Sequence, residues 1–370
     1  MTIRMLDIGR QRDALEPGLT AAVTAVLDHG RFVNGPEVQE LEAALSAYAG
    51  VAHTVACANG TDALQILLRA VGVGPGDVVF VPSLTYVATA EAVALIGAEP
   101  VFVDVDLATA NMDAGSLAEA IAMVKAAGGK PGAVMAVDLF SLPADYAALG
   151  AVCAQHGLPF LIDAAQSFGT TLDGKRAGSF ADAAGTSFYP SKSLGGYGDG
   201  GAMFTADPGI AERARIIANH GVSEGRHTMV GTNSRLDSMQ AAILLRKLAI
   251  FDDELVRRRS IAARYAAGMA GKVTLPAPPE GSDPCWAYYV VRSEARDALA
   301  EHLAGRDVPS VAYYKEPIHR QPAFAGARTA PGGLTNTEVY ADTLLCLPSH
   351  PYMTDDEVAQ VIDAVQGFSG

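Results

Sequence analysis

Lys192 stands in Thr186-Ser-Phe-Tyr-Pro-Ser-Lys-Ser-Leu-Gly-Gly, among hydroxyls, aromatics and glycines and with no other charge beside it. Burial of a solitary lysine in such a loop favours its neutral amine, which is a nucleophile for aldehydes. Asp163 ends the apolar run Pro159-Phe-Leu-Ile and is expected at the C-terminal end of a parallel strand, where open α/β sheets bind ligands. Taken alone it reads equally well as a helix cap. Gln166 follows three residues later, near the same edge. The turn Asn59-Gly60-Thr61 precedes a helix, and the free N–H groups of that helix start form an anion site. Ser187 could add a hydroxyl donor to the same phosphate. An imine-forming lysine, a carboxylate for a ring nitrogen and a phosphate cup are together what pyridoxal phosphate requires. Tyr86, near a helix start after Val81-Pro-Ser-Leu-Thr, could stack on the ring, although a core or interface place fits the pattern as well.

Other spellings carry less chemistry. Gly196-Tyr-Gly198-Asp-Gly200-Gly201 matches G-x-G-x-x-G, but a dinucleotide fingerprint needs a strand before it and a helix after it. Here a strand-like Ala-Met-Phe-Thr follows, which argues for a close-packed glycine loop instead. Asp104-Val-Asp106 at a strand end could hold a divalent metal, as in a metal-dependent glycosyltransferase, or could form a solvated turn. The eight histidines show no HxH or HExxH spacing, so no metal site is expected.

These residues need a scaffold. Short apolar runs at 78–81, 100–105, 133–139, 160–163 and 202–205 read as strands buried on both faces. Helical segments at 61–70, 86–96, 116–127 and 145–156 alternate with them, which predicts an α/β fold with a largely parallel sheet. Asn34-Gly-Pro-Glu37 reads as a helix start with a capping box. A single long helix is expected from Arg235 to about Tyr265. The division is placed near 250, giving a large cofactor domain over 1–250 and a smaller α/β domain over 251–370.

The chain has 370 residues, with 27 Lys and Arg against 41 Asp and Glu, a formal charge of −14. Phosphate-tracking surfaces need the opposite balance, so nucleic-acid binding is not expected. Cys57, Cys153, Cys285 and Cys346 are too scattered for a zinc knuckle or a CxxC pair and suit a reducing cytoplasm. No apolar run is long enough to span a membrane.

The ordered set Asn59-Gly-Thr-Asp-Ala-Leu, Gly74-Pro-Gly-Asp, Val81-Pro-Ser-Leu-Thr-Tyr, Ile162-Asp-Ala-Ala-Gln-Ser, Ser187-Phe-Tyr-Pro-Ser-Lys and Asn233-Ser-Arg-Leu-Asp resembles the DegT/DnrJ/EryC1/StrS family of nucleotide-sugar aminotransferases. The resemblance runs over nearly the whole chain. It implies the fold type I aminotransferase architecture, pyridoxal phosphate as cofactor and a homodimer with shared active sites. It casts Lys192 as the catalytic, cofactor-linking lysine, Asp163 as partner of the pyridine nitrogen and Gln166 as partner of the ring hydroxyl. Gly60, Thr61 and Ser187 would hold the phosphate, Tyr86 would stack, and Asn233 would reach the phosphate from the neighbouring subunit. The segments around 186–202 and 241–251 look closest to enzymes that aminate C3 of a UDP-2-acetamido-3-keto-glucuronate with glutamate. Arg235 would then face a carboxylate or form an intersubunit salt bridge, and Tyr314 and His319 would be nucleotide-sugar contacts. Amination of a dTDP- or GDP-linked 3-keto or 4-keto 6-deoxyhexose is the alternative within the family. A sugar dehydratase would carry His at the Lys192 position. A non-catalytic regulator on the same fold is a third reading. Two departures stand out: Asp138-Leu-Phe-Ser141 where many relatives read His-Leu-Tyr-Gly, and Phe168 where a His is common. Both are expected near the substrate side.

Overall fold

The computed structural model describes residues 3–369. Its centre is a seven-stranded sheet of β1 (His53–Cys57), β2 (Asp77–Pro82), β3 (Glu99–Val103), β4 (Lys130–Val137), β5 (Phe160–Asp163), β6 (Ala183–Ser187) and β7 (Gly201–Thr205). The order is β1-β7-β6-β5-β4-β2-β3. Only β7 runs against its neighbours. Alternate side chains serve two cores. Val79 and Val81 pack with helix Gly60–Ala70, while Val78 and Phe80 pack with helices Ala114–Ala126 and Tyr146–His156 on the other face. Period-two burial on both faces is why the strands read as unbroken apolar runs.

Several elements differ from expectation. β1 and β6 did not stand out in the sequence. Ala-Ala-Gly-Thr-Ser has little intrinsic strand preference, and the sheet imposes the conformation on β6 because its small residues admit Leu64 closely. A Cβ on Gly185 would come within 2.9 Å of Leu64 Cδ2. The helix at 36 has no capping box: it runs Pro36–Ala49 with Gly35 before it, and Glu37 Oε1 lies 2.8 Å from His29 Nε2. The expected long helix is two, Ser238–Leu248 and Phe251–Met269, interrupted at Ala249-Ile250.

The second core gathers Ile261, Tyr265 and Met269 against the antiparallel pair β8 (Tyr289–Arg292) and β9 (Leu344–Leu347) and helix Asp355–Gln366. Phe251 and Leu255 of the same long helix pack with Phe168, Phe188 and Leu236 instead. The two cores therefore meet along helix Phe251–Met269. Among the described residues, no helix is long and apolar enough to cross a membrane.

Candidate active site

At the C-terminal ends of β5 and β6, facing the start of helix Gly60–Ala70, lies a cavity of about 710 Å³. Gly60, Thr61, Tyr86, Asp163, Gln166, Ser187, Lys192 and Tyr314 all line it. The sheet edge explains the convergence, since Asp163 is the last residue of β5, Ser187 the last of β6, and Lys192 follows five residues later.

Lys192 is partly buried, and its Nζ lies 3.4 Å from the Tyr288 hydroxyl. Burial pulls its pKa below the usual lysine value, against the opposing fields of Asp163 and Tyr86. Asp163 is buried. Its Oδ2 accepts from Thr89 Oγ1 at 2.8 Å and its Oδ1 from the Ala165 N–H at 3.1 Å. Burial pushes its pKa up, while Thr89, Ala165 and the charge of Lys192 pull it down. No guanidinium or ammonium group bonds this carboxylate in the described structure, so a cationic ring nitrogen would give it the counter-charge its setting lacks.

Gln166 is buried with both ends of its amide engaged. Its Oε1 accepts from the Phe140 N–H at 2.9 Å, and its Nε2 donates to the Tyr314 hydroxyl at 3.1 Å. At the helix start, the Asn59 side chain accepts from the Asp62 N–H at 2.8 Å, which leaves the N–H groups of Gly60 and Thr61 outside the cap. Helix and strand end approach so closely that a Cβ on Gly60 would stand 2.7 Å from Ser187 Cβ. Donors and a hydroxyl thus converge on one corner, a cup suited to a phosphate. The corner, the buried carboxylate and the lysine fit pyridoxal phosphate.

Three sequence-derived candidates lie elsewhere. His319 does not line the cavity: Nδ1 is 2.7 Å from Ser83 Oγ and Nε2 is 2.8 Å from Glu338 Oε1, so both ring nitrogens are used to hold its own segment. Asn233 is exposed away from the cavity. Arg235 is also outside it, with Nη1 donating to Asn219 Oδ1 at 3.1 Å. The two departures are not on the substrate side either. Asp138 is fully buried behind the cavity wall, and Phe168 packs among Tyr48, Phe188, Phe204 and Phe251.

The structure also explains the motifs set aside. Asp104 accepts from the N–H groups of Asn336 and Thr337 at 3.0 and 2.8 Å, capping helix Thr335–Thr343. Asp106 Oδ1 accepts from the N–H groups of Ala108 and Thr109 in a local turn. The glycine loop wraps Gln240, whose Oε1 accepts from the Tyr197 N–H at 2.9 Å, and a Cβ on Gly196 or Gly198 would come within 2.8 Å of that amide.

Sequence reasoning missed Thr89, Tyr189, Asp199, Tyr288 and Tyr313. Thr89 sits one helical turn after Thr85, whose hydroxyl is 3.2 Å away, and that i,i+4 pair was the available signal. Tyr288 and Tyr313 reach the cavity from residues beyond 250, and no spacing predicts that.

Residues 14–366 match the DegT/DnrJ/EryC1/StrS aminotransferase family. The chain is 42% identical to the UDP-2-acetamido-2-deoxy-3-oxo-D-glucuronate aminotransferase of Pseudomonas aeruginosa, covering 95% of this chain and 96% of that protein. It is 40% identical to the dTDP-3-amino-3,4,6-trideoxy-alpha-D-glucose transaminase of Streptomyces venezuelae, covering 99% and 96%. Among solved structures, a DegT DnrJ EryC1 StrS aminotransferase from Brucella abortus superposes with a TM-score of 0.97 at 46% identity, over 100% of both chains. NtdA from Bacillus subtilis, solved with bound cofactor PMP, superposes with a TM-score of 0.89 at 27% identity, over 99% of this chain and 84% of that one.

Proposed function

Because the chain belongs to the DegT/DnrJ/EryC1/StrS aminotransferase family, we propose that it transfers the amino group of glutamate to the C3 ketone of a UDP-2-acetamido-3-keto-glucuronate-like sugar nucleotide. It is a pyridoxal-phosphate-dependent sugar aminotransferase. The observation that carries the chemistry is that Lys192 and the buried Asp163 line one cavity with an open helix start.

When bound, the cofactor supplies an aldehyde for amine exchange and a cationic ring that withdraws electrons. Asp163, held by Thr89 and Ala165, would keep the ring nitrogen protonated. Gly60, Thr61 and Ser187 would hold the phosphate, and Tyr86 would stack on the ring. Gln166 offers its Nε2 toward the ring hydroxyl, sharing it with Tyr314. Lys192 would hold the cofactor through its Nζ. As a free amine, that Nζ would take the proton from the donor Cα in the first half-reaction and deliver one to C3 of the sugar in the second. Within each half-reaction it would give up the proton it takes and so end unchanged. Proton transfer by a positioned base is commonly worth ~10²–10⁴-fold.

The charges lining the cavity support a shared site. Asp62, Asp163 and Asp199 stand there against Lys192, yet cofactor, donor and sugar nucleotide are all anionic. Asn233 and Arg235, which do not line their own cavity, would serve that of a second copy. Asn233 would reach the phosphate and Arg235 a carboxylate of glutamate or of the uronate. The 40% relative supports a second reading, a dTDP-linked 3-keto 6-deoxyhexose.

The test loads the protein with pyridoxamine phosphate and offers a panel of 3-keto and 4-keto sugar nucleotides. The 3-keto uronate is expected to restore the yellow pyridoxal form fastest. Reaction with 4-keto sugars alone would overturn the C3 assignment.

A further inference from the structure

The sole side-chain hydrogen-bond partner of the Lys192 amine among the described residues is a tyrosine from the other domain. Tyr288 immediately precedes β8 and reaches across to stand 3.4 Å from Lys192 Nζ, with its ring centroid 5.7 Å from that nitrogen. The ring is held on several sides. Its backbone N–H donates to Ser141 Oγ at 3.4 Å, Phe140 packs at 6.5 Å between centroids, and Tyr313 meets it edge-on at 5.9 Å. We propose that Tyr288 is a further catalytic residue: its hydroxyl oxygen accepts a hydrogen bond from the Lys192 amine and so turns the free lone pair of that amine toward the carbon it must deprotonate.

The proposal rests on the reading of Lys192 as the proton-transferring base. Catalytic hydrogen bonds are often long before substrate arrives and shorten in the working complex, so 3.4 Å is an expected resting distance. The direction of the bond follows from the setting. Burial raises the pKa of Tyr288, so it keeps its proton and its oxygen accepts from an N–H of Lys192, while burial of Lys192 favours the neutral amine whose lone pair stays free. The charged and titratable groups around the pair are Asp163 and Tyr86 on the lysine side, and Arg258, Cys285, Cys346 and the Ser191 hydroxyl on the tyrosine side. No bond forms or breaks at Tyr288, and its proton stays on its own oxygen. A hydroxyl oxygen that accepts from the amine leaves the lone pair free and favours the ammonium form, so it raises the pH at which Lys192 becomes a base. It also links the smaller domain to the chemistry, because Tyr288 leads directly into that domain's sheet.

The test compares Tyr288→Phe with the native holoenzyme in single turnover with glutamate. The cofactor's visible spectrum should be unchanged, showing an intact site. The rate of the first half-reaction should fall roughly ten- to a hundred-fold, with the substrate concentration dependence little altered. The limb of the pH–rate profile that follows deprotonation of Lys192 should move to lower pH. Tyr288→His, which retains a ring acceptor, should recover part of the rate, and Tyr288→Leu should not. Should the Phe variant fail to fold, the His and Leu variants make the same comparison. An unchanged rate and an unmoved limb in Tyr288→Phe would overturn the proposal. If Lys192→Ala is meanwhile inactive, the reading of Lys192 survives that failure; if Lys192→Ala is fully active, it is that reading which fails.

Discussion

Asp163 ends β5 and Asp138 directly follows the end of the adjacent β4, and the Asp138 N–H donates to the Asp163 carbonyl at 3.1 Å. Their surroundings give them different work. Asp163 opens on the cavity, whereas Asp138 is sealed behind it and accepts from the Ala144 N–H, the Tyr146 hydroxyl and the Ser167 hydroxyl. These bonds close a turn in which Phe140 and Ser141 hold left-handed backbone, with φ of 54° and 71°. The Phe140 N–H then anchors Gln166, so Asp138 supports the site without touching it. Burial pushes the Asp138 pKa from 3.8 up to about 6. A carboxyl whose folded pKa is raised contributes stability that is full at pH below its unfolded value and is lost as pH rises to the folded one. Asp138 therefore lowers stability between about pH 4 and pH 6, by an amount on the order of 2–3 kcal/mol. Asp138→Asn is expected to flatten that part of the stability profile, measured by denaturant unfolding at pH 4 and pH 7. The same slope in both proteins would contradict the assignment. The sequence marked Asp138 as a departure but could not show its use. A buried acceptor and a substrate-facing acid have the same spelling, and only the donors at 144, 146 and 167 distinguish them.

Helix Gly60–Ala70 and strand β6 form the corner of the cavity by close approach. Gly60 is required there by space, since its φ is not in the left-handed region, and an added Cβ would meet Ser187 Cβ at 2.7 Å. Gly60→Ala must push the helix start off the strand end. Overpacking of this kind costs about 1–3 kcal/mol, and the misplaced N–H groups should weaken cofactor binding about tenfold or more. Melting temperature and cofactor titration measure the two effects, and native affinity would show that the corner is not the phosphate cup. At this scale much of the molecule was legible. Asn59-Gly60 as a helix start, Asp163 at a strand end and the parallel strands β2 to β5 all follow from local pattern. β6 was not legible, because its small residues are strand only in the company of its neighbours. The break at Ala249-Ile250 was also hidden, because the apolar spacing continues through it while the two helices pack against different cores.

Over the whole molecule, the formal charge of −14 stands against substrates that are themselves anionic. Recognition must then come from few groups placed well: the start of helix Gly60–Ala70, Lys192, and, in the proposed dimer, Asn233 and Arg235 of the second copy. The cavity is walled by Tyr86, Tyr189, Tyr288, Tyr313 and Tyr314, which adds apolar area and hydroxyls without adding charge. Three of the five come from beyond residue 250, so the C-terminal part of the chain completes the wall that the preceding part begins. This partnership joins Lys192 to Tyr288 and Gln166 to Tyr314 across 96 and 148 residues of sequence. Separations of that kind leave no local pattern. The central claim is that Lys192 is the residue through which this chain exchanges an amine. Its most direct test mixes glutamate with the yellow protein and follows the visible absorbance together with 2-oxoglutarate. The native protein should bleach and release one 2-oxoglutarate per site, and Lys192→Ala should do neither at a comparable rate. Bleaching at the native rate in the alanine variant, or none in the native protein with any amino donor, would contradict it.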